Sequence, residues 1–274
     1  MVRRLIGYGE NGIKRAQFNL LKEYGVRLRV EHAQLSLQGG RDDNQDRVGI
    51  VVAEHNALAL VSDGMGGHAQ GERAAAAAQQ LVLERFRNAP QPLLDPLGFL
   101  HLALGAAHDQ VVALGRTLPL EQRPRATCVV CVVQDASAYW AHAGDSRLYH
   151  IRAGRVLDRT RDHSHVELLL REGVIGPGQV QNHPMRNFVE SCLGGEPLLP
   201  EMSISSRHAL LPGDVLLLCT DGLWSMIDDE RLAGAFAATE RSLPDLATEL
   251  CERALITAGP TADNTSITVL RFLG

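Results

Sequence analysis

The sequence lacks the features that direct a chain into or across a membrane. No run of 18 apolar residues occurs among its 274 residues, so we expect no membrane-spanning helix. The beginning of the chain, MVRRLIGYGENG, is positively charged but has no apolar stretch of the kind that a secretory signal contains. We therefore expect a cytoplasmic protein.

Cysteine is scarce, and its pattern excludes a disulfide framework. There are five cysteines, an odd number, and only Cys128 and Cys131 are closely spaced. They lie in A-T-C-V-V-C-V-V, which predicts a strand, and residues three apart on a strand point to opposite faces. We expect buried free thiols here rather than a zinc or redox pair, which also fits the cytoplasm.

A basic excess is also lacking. The chain has 27 Lys and Arg against 32 Asp and Glu, a net charge of −5, which excludes the electrostatic signature of a nucleic-acid-binding protein. Residues 1–30 hold seven basic and two acidic residues, so the remainder holds 20 basic and 30 acidic residues, a balance of −10. An acidic body is usually a solvated surface, but it can also gather carboxylates around cations. We interpret residues 1–25 as an extension of unknown role and residues 26–274 as a single domain.

Short apolar runs rich in β-branched residues predict strands over residues 48–53, 57–61, 127–133, 138–143, 147–151, 215–219 and 266–272. The connections at 54–56 and 152–155 are too short for a helical crossover, which predicts antiparallel neighbours. Helices are predicted over 72–87, 99–114, 164–172 and 243–258. Strands and helices are segregated along the chain, so the predicted class is α+β, with antiparallel sheets covered by helices.

Residues 173–200 have no sustained period and are rich in Gly and Pro. An irregular segment of this length is often a functional loop or lid, although an ordinary surface loop is an equal alternative. Arg186 in this segment is a candidate for substrate contact.

An aspartate stands at the end of nearly every predicted strand. Asp63, Asp145 and Asp221 each follow a strand beside a glycine, and Asp263 precedes the last strand. A single Asp-Gly is most often a turn. Packed strands bring their ends together, however, and carboxylates gathered there would repel one another and be costly to desolvate. Divalent cations remove that cost, and an aspartate set without obligatory His or Cys favours Mg²⁺ or Mn²⁺ over Zn²⁺.

Six motifs follow one another along residues 28–272. They are R-D-D-N-Q-D at 41–46, D-G-M-G-G-H at 63–68, A-H-A-G-D-S-R at 141–147, T-R-D-H-S at 160–164, L-P-G-D at 211–214 with C-T-D-G-L-W at 219–224, and D-N-T-S-I-T-V at 263–269. Together they resemble the motifs of bacterial metal-dependent Ser/Thr protein phosphatases, the protein phosphatase type 2C (PPM) family. The resemblance implies two antiparallel sheets face to face, flanked by helices, in a four-layer αββα sandwich.

The resemblance also implies the cofactor and its ligands. Two Mg²⁺ or Mn²⁺ ions would be bridged by Asp63, with the carbonyl of Gly64 as a further ligand. Asp221 and Asp263 would hold one of these ions.

The second ion would be held at the acidic position in Asn44-Gln45-Asp46, which makes Asp46 or Gln45 its ligand. Asp145 would contribute to a third, weaker site. Arg41 would bind the phosphate, because a guanidinium offers a bidentate fork to phosphoryl oxygens.

The implied reaction is the hydrolysis of phosphoserine and phosphothreonine in proteins, which would be targets of a Ser/Thr kinase. Water held between two cations has a lowered pKa, and the resulting hydroxide attacks phosphorus in line. The cations and Arg41 stabilise the charge on the equatorial oxygens.

Two positions depart from the family pattern. Gln45 is neutral where many members have Glu, which weakens one ion unless Asp46 is the ligand. Met65 stands where many eukaryotic members have His, so the acid for the leaving group would be a metal-bound water or His68. A binding module that has lost catalysis, and an enzyme for small phosphoesters, are the alternative functions.

Overall fold

The computed structural model describes residues 27–65, 69–180, 183–238 and 240–274, so the extension predicted at 1–25 lies outside the described residues. The strands are β1 Val30–Leu37, β2 Arg47–Val52, β3 Asn56–Ser62, β4 Gly64–Met65, β5 Arg125–Ala126, β6 Cys128–Gln134, β7 Ser137–Ala143, β8 Arg147–Arg152, β9 Arg155–Arg159, β10 Leu193–Gly194, β11 Ser203–Ile204, β12 His208–Ala209, β13 Val215–Cys219 and β14 Thr265–Phe272. The helices are α1 Ala69–Asn88, α2 Pro96–Leu114, α3 His165–Arg171, α4 Asp221–Trp224, α5 Asp229–Gly234 and α6 Leu243–Ala258.

Two antiparallel sheets form the centre of the described chain. One has five strands in the order β1-β14-β13-β8-β9. The other has six, in the order β11-β7-β6-β3-β2, with β12 also paired to β7. A third, small sheet joins β10, β5 and β4. All pairings between strands are antiparallel, as the short connections predict.

Alternation of side chains along each strand gives both sheets two apolar faces. On β13, Leu216 and Leu218 lie in the apolar cluster between the sheets. Leu217 and Cys219, one residue along, pack in a second cluster with residues of α5 and α6. Because successive side chains on a strand point to opposite faces, a continuous apolar run serves two cores at once.

Three apolar clusters separate four layers. The first packs β3 and β6 against α1 and α2, the second lies between the two sheets, and the third packs β13 and β14 against α5 and α6. This arrangement confirms the predicted α+β class and the four-layer αββα sandwich.

The two closely spaced cysteines face opposite sides of β6, as their spacing predicts. Cys128 lies in the cluster under α1 and α2, and Cys131 lies between the sheets. Both are free and buried, and burial raises the pKa of the Cys128 thiol to about 12. The prediction of buried thiols is confirmed for this pair.

Helix starts follow their capping residues. The Ser242 hydroxyl accepts a hydrogen bond from the Asp245 N–H at 3.4 Å, and α6 spans the predicted residues. Ser164 caps α3 in the same way. Helix α2 begins three residues before the predicted start, because the Asp95 carboxylate accepts from the Gly98 N–H at 2.9 Å and Pro96 occupies the first turn.

Helix α2 is, within the described residues, the one helix long and apolar enough to cross a membrane by length and composition. Its residues Leu100, Leu104 and Val111 are fully buried in the cluster shared with α1 and the six-stranded sheet. This packing is that of a core helix.

Strands β1 and β9 and the two-residue strands are absent from the sequence prediction. The sequence of β1 is V-E-H-A-Q-L-S-L, and Ala33 is its only buried residue, so its apolar signal is weak. Its place at the edge of the sheet comes from eight residue pairs with β14, from Val30 opposite Phe272 to Leu37 opposite Thr265.

The core between the sheets gives a stability prediction. We expect Leu218→Ala to lower the free energy of unfolding by about 2–5 kcal/mol, because Leu218 is completely buried and the cavity cannot fill. Urea denaturation measures the change. Ile256→Ala is the control, since Ile256 is 82% exposed, and a comparable loss in both variants would contradict the assignment.

Candidate metal centre

A cleft of about 380 Å³ opens at one end of the sandwich, where the loops that follow or precede β3, β13 and β14 meet. Its lining consists of Arg41, Asp42, Asp43, Gln45, Asp63, Gly64, Met65, Asp145, Asn187, Val189, Asp221, Asp263 and Asn264. All the predicted site residues but one therefore share one cleft. The exception is Asp46, which is 2% exposed and lies behind this lining.

The loops that carry Asp63 and Asp145 are joined through Thr127. The Asp63 N–H donates to the Thr127 hydroxyl at 3.1 Å, and the Thr127 N–H donates to the Asp63 carbonyl at 2.8 Å. The Thr127 hydroxyl also lies 2.7 Å from that of Ser146, the neighbour of Asp145. Gly144 has a φ of +107°, and a Cβ there would stand 2.5 Å from the Cβ of Thr127. Only glycine allows this approach.

Gly64 is held by the small sheet and by the start of α1. It pairs with Ala126 across β4 and β5. A Cβ at Gly64 would stand 2.1 Å from the carbonyl oxygen of Gly71, so no side chain can be accommodated. The backbone at Gly64 is consequently fixed beside Asp63.

Asp221 and Asp263 come from adjacent strand ends. Asp221 is the first residue of α4 and follows β13 after one intervening residue, and Asp263 precedes β14. The Asp263 carboxylate accepts from the N–H of Asn264 at 2.8 Å and from Nη2 of Arg41 at 2.6 Å. Arg41 and Asp263 are 222 residues apart in sequence, and the pair places the predicted phosphate ligand beside a predicted metal ligand.

Asp46 is buried next to residues that line the cleft. Its Oδ2 accepts from the Thr220 hydroxyl at 2.9 Å, next to Asp221. Its Oδ1 is buried and has no hydrogen-bond partner among the described residues. A buried carboxylate oxygen without a partner is costly, and a cation would satisfy it.

Asn264 is a positioning residue that the sequence interpretation missed. Its Oδ1 accepts from the Gln45 N–H at 2.9 Å, and its Nδ2 donates to the carbonyls of Gln38 and Asp43 at 2.7 and 2.9 Å. Three hydrogen bonds from one side chain thus fix the loop before β2 onto the start of β14. The only sequence signal was its place beside Asp263.

A second missed group surrounds Asp145. The Trp224 indole N–H donates to the Asp145 carbonyl at 3.0 Å, and the Arg147 guanidinium lies 3.5 Å from the centre of the Trp224 ring. Arg147 also donates to both carboxylate oxygens of Asp162 at 2.8 Å. These contacts link the loop of Asp145 to α4, which begins with Asp221.

Burial and mutual repulsion dominate the electrostatics of the site. Burial, with the charges of Asp221 and Asp263 adding, raises the pKa of Asp46 to about 7 despite hydrogen bonds that favour its charged form. Burial and Asp263 raise the pKa of Asp221 to about 6. Burial and the surrounding aspartates raise the pKa of Asp63 well above its usual value, and the same holds for Asp145. Nearby cations would reverse these shifts.

The donor set fits hard divalent cations. The cleft offers carboxylate and carbonyl oxygens, and its described lining contains no His or Cys. No group of three or more His, Cys, Asp or Glu side chains forms a complete metal cage in residues 27–65, 69–180, 183–238 and 240–274. Mg²⁺ does not require one, because it usually binds one or two carboxylates and keeps several waters.

The two departures from the family pattern also lie here. Gln45 and Met65 both line the cleft. His68, the candidate acid, falls outside the described residues. Arg186 is exposed, and it is its neighbour Asn187 that lines the cleft.

Comparison with known families agrees with this geometry. Residues 38–254 match the sequence profile of the family described as protein phosphatase 2C. The chain belongs to the protein phosphatase 2C family. The predicted family resemblance is therefore confirmed.

Relatives within the protein phosphatase 2C family include the serine/threonine protein phosphatase PstP of Mycobacterium tuberculosis. It is 32% identical over 247 residues, which make up 89% of this chain and 45% of that protein. This chain thus spans less than half the length of that relative.

Two solved structures of the family share this fold. The catalytic domain of PstP in complex with two manganese ions matches with a TM-score of 0.74 at 27% identity, over 89% of this chain and 99% of that chain. Phosphatase Stp1 from Staphylococcus aureus matches with a TM-score of 0.79 at 26% identity, over 91% and 97%.

The three hydrogen bonds of Asn264 generate a prediction. We expect Asn264→Ala to weaken Mn²⁺ binding about tenfold, because supporting residues behind metal ligands contribute this much. Stability should fall by roughly 1–3 kcal/mol, since buried backbone groups lose their partners. Calorimetric titration with Mn²⁺ and urea denaturation measure the two effects. Asn88→Ala, at the exposed end of α1, is the control, and unchanged Mn²⁺ affinity in Asn264→Ala would refute the role.

Proposed function

We propose that this protein phosphatase 2C chain hydrolyses phosphoserine and phosphothreonine in proteins, with Mg²⁺ or Mn²⁺ as cofactor. The observation that carries the proposal is the convergence of Asp63, Asp145, Asp221 and Asp263 on one cleft beside Arg41. The relative PstP is a serine/threonine protein phosphatase, and its structure holds two manganese ions; both facts support the proposal.

The acidic residues at the cleft would act as ligands for two cations. Asp63 would bridge both, with the Gly64 carbonyl beside it. Asp221 and Asp263 would hold one cation from the ends of adjacent strands. Asp46, whose Oδ1 has no partner among the described residues, would serve the other through its own oxygen or through a water.

Asp145 would support a third cation. It stands on the loop fixed by Thr127 and Trp224, and burial and the charge of Asp221 raise its pKa well above the usual value. Fewer acidic groups face it than face Asp63, so this ion would be held more weakly.

Arg41 would bind the phosphate. Its guanidinium is exposed, and the contact with Asp263 uses one of five N–H donors. The others can donate to two phosphoryl oxygens as a fork. The same donors stabilise the negative charge that develops on those oxygens in the transition state.

The chain supplies no Ser or Cys nucleophile at the described surface of the cleft. Ser146 is 1% exposed and hydrogen-bonded to Thr127, which excludes it as the attacking group. When bound, the cations lower the pKa of coordinated water and so provide the attacking hydroxide near neutral pH. The aspartates would hold these cations, and Arg41 would orient the phosphoryl group for in-line attack.

Metal-dependent phosphate release is the first test. We expect hydrolysis of a phosphothreonine peptide in Mn²⁺ or Mg²⁺, loss of activity in EDTA, and recovery on adding Mn²⁺. Phosphate release at neutral to alkaline pH measures it. A folded protein that binds Mn²⁺ but releases no phosphate would be a binding module, and faster turnover of sugar phosphates than of phosphopeptides would indicate a small-molecule enzyme.

The bridging carboxylate provides the second test. We expect Asp63→Asn to lower kcat at least about a hundredfold while the fold remains intact, because a neutral amide cannot balance two cations. Steady-state kinetics and far-ultraviolet circular dichroism measure activity and folding. Asp109→Asn, on the exposed face of α2, is the control, and near-normal turnover of folded Asp63→Asn would refute the role.

Arg41 provides the third test. At saturating Mn²⁺, we expect Arg41→Ala to raise KM for phosphopeptide about tenfold, because a charge-assisted fork to the bound phosphate is lost. Arg41→Lys should recover part of the effect, since Lys keeps the charge without the fork. An unchanged KM in Arg41→Ala, with Arg85→Ala on α1 as control, would argue against phosphate binding.

A further inference from the structure

A second cavity, of about 640 Å³, adjoins the catalytic cleft. One wall is α3 and the other is the segment of residues 188–201. Val189 lines both this cavity, which we call the side groove, and the cleft. A polypeptide whose phosphorylated residue entered the cleft would therefore lay its neighbouring residues in the side groove.

Backbone hydrogen bonds hold the walls of the side groove together. The His165 N–H donates to the Phe188 carbonyl at 3.0 Å, and the Glu190 N–H donates to the His163 carbonyl at 2.8 Å. Ser164 and Val189 form an antiparallel bridge between these two contacts. The groove is thus already shaped next to the cleft, which favours binding because little ordering is needed.

Apolar side chains lie along the side groove and are exposed. Leu198 is 80% exposed, Phe188 49%, Leu199 48% and Leu168 39%. Large apolar residues gathered beside a catalytic cleft are typical of a binding surface. They suit an apolar side chain of a substrate.

The side groove carries a net negative charge. Four glutamates and two arginines line it, which gives a balance of −2, and Asp162 is neutralised by Arg147. Glu190 already bonds to His165. Within the described residues, Glu167, Glu196 and Glu201 form no ion pair, and Glu196 and Glu201 are exposed. They are free to pair with a cationic ligand.

We propose that the side groove binds the polypeptide next to the phosphorylated residue and selects substrates with Lys or Arg close to an apolar residue. Glu196 and Glu201 are the specificity-determining residues for the basic side chain, and Leu198 for the apolar one. This inference rests on the proposed protein phosphatase function, and it names the substrate class of the same site.

The test compares two phosphothreonine peptides of equal length, one with two Arg and a Leu near the phosphothreonine and one with Gln in place of each Arg. Wild-type protein should favour the basic peptide by about threefold to tenfold in kcat/KM, mainly through KM, because exposed ion pairs are individually weak. In the double variant Glu196→Gln and Glu201→Gln this preference should fall below about twofold. Turnover of p-nitrophenyl phosphate, which is too small to reach the groove, should stay unchanged.

Three controls separate the contributions. Glu252→Gln, an exposed glutamate on α6, should keep the wild-type preference. Leu198→Ser should lower kcat/KM for both peptides and not for p-nitrophenyl phosphate. Raising the salt concentration should reduce the preference of the wild type, since exposed charges are screened.

The outcomes distinguish this inference from the proposed function. If wild-type protein hydrolyses neither peptide nor p-nitrophenyl phosphate with Mn²⁺, the phosphatase function fails. If it hydrolyses both peptides equally well, the inference alone is overturned. If the double variant gains activity on every peptide, the groove holds the basic amino-terminal segment of the chain itself, and the inference is also overturned.

Discussion

Repulsion among carboxylates in a partly dry cleft is the constraint on which the site depends. Asp46, Asp63, Asp145 and Asp221 are drawn from water by the packed strand ends, and burial raises the pKa of each. Such a cluster is unfavourable by itself. Among the described residues, Arg41 offsets part of the charge of Asp221 and Arg147 part of that of Asp145. Divalent cations would relieve the repulsion, so the proposed metal binding follows from the same feature that makes the carboxylate cluster unfavourable.

The αββα sandwich tolerates the unfavourable free energy of the buried carboxylates because apolar clusters away from the cleft stabilise the fold. Its three apolar clusters are built from continuous runs on β3, β6, β13 and β14, which are buried on both faces. The carboxylates stand in loops or at a helix start just beyond the ends of strands, where hydrogen bonds to the side chains of Thr127 and Asn264 hold the backbone. The apolar residues that stabilise the fold and the carboxylates of the site thus occupy different parts of the molecule. Loops positioned by such a scaffold are where function is usually found.

Sequence patterns predicted well where the signal was local and strong. The apolar runs placed most of the core strands within about two residues, and Ser242 placed the start of α6. Prediction failed where tertiary contacts decide. β1 is a strand because β14 pairs with it, although its own sequence is largely polar. Helix α4 has four residues, too few for a periodic pattern. The support by Asn264 was invisible, since its partners at Gln38, Asp43 and Gln45 are more than 200 residues away.

The sequence by itself determined the chemistry of the site: which residues are acidic, that Asp63, Asp145, Asp221 and Asp263 stand at strand ends beside a glycine or asparagine, and that Arg41 precedes the first predicted strand. These are local facts, fixed by residue type and spacing. Only the tertiary structure decided which of them meet. Antiparallel pairing of β14 with both β1 and β13 brings Asp263 beside Arg41 and Asp221, and packing of the two sheets adds Asp63. Contact between residues so distant in the chain depends on strand register and packing, which local sequence does not specify.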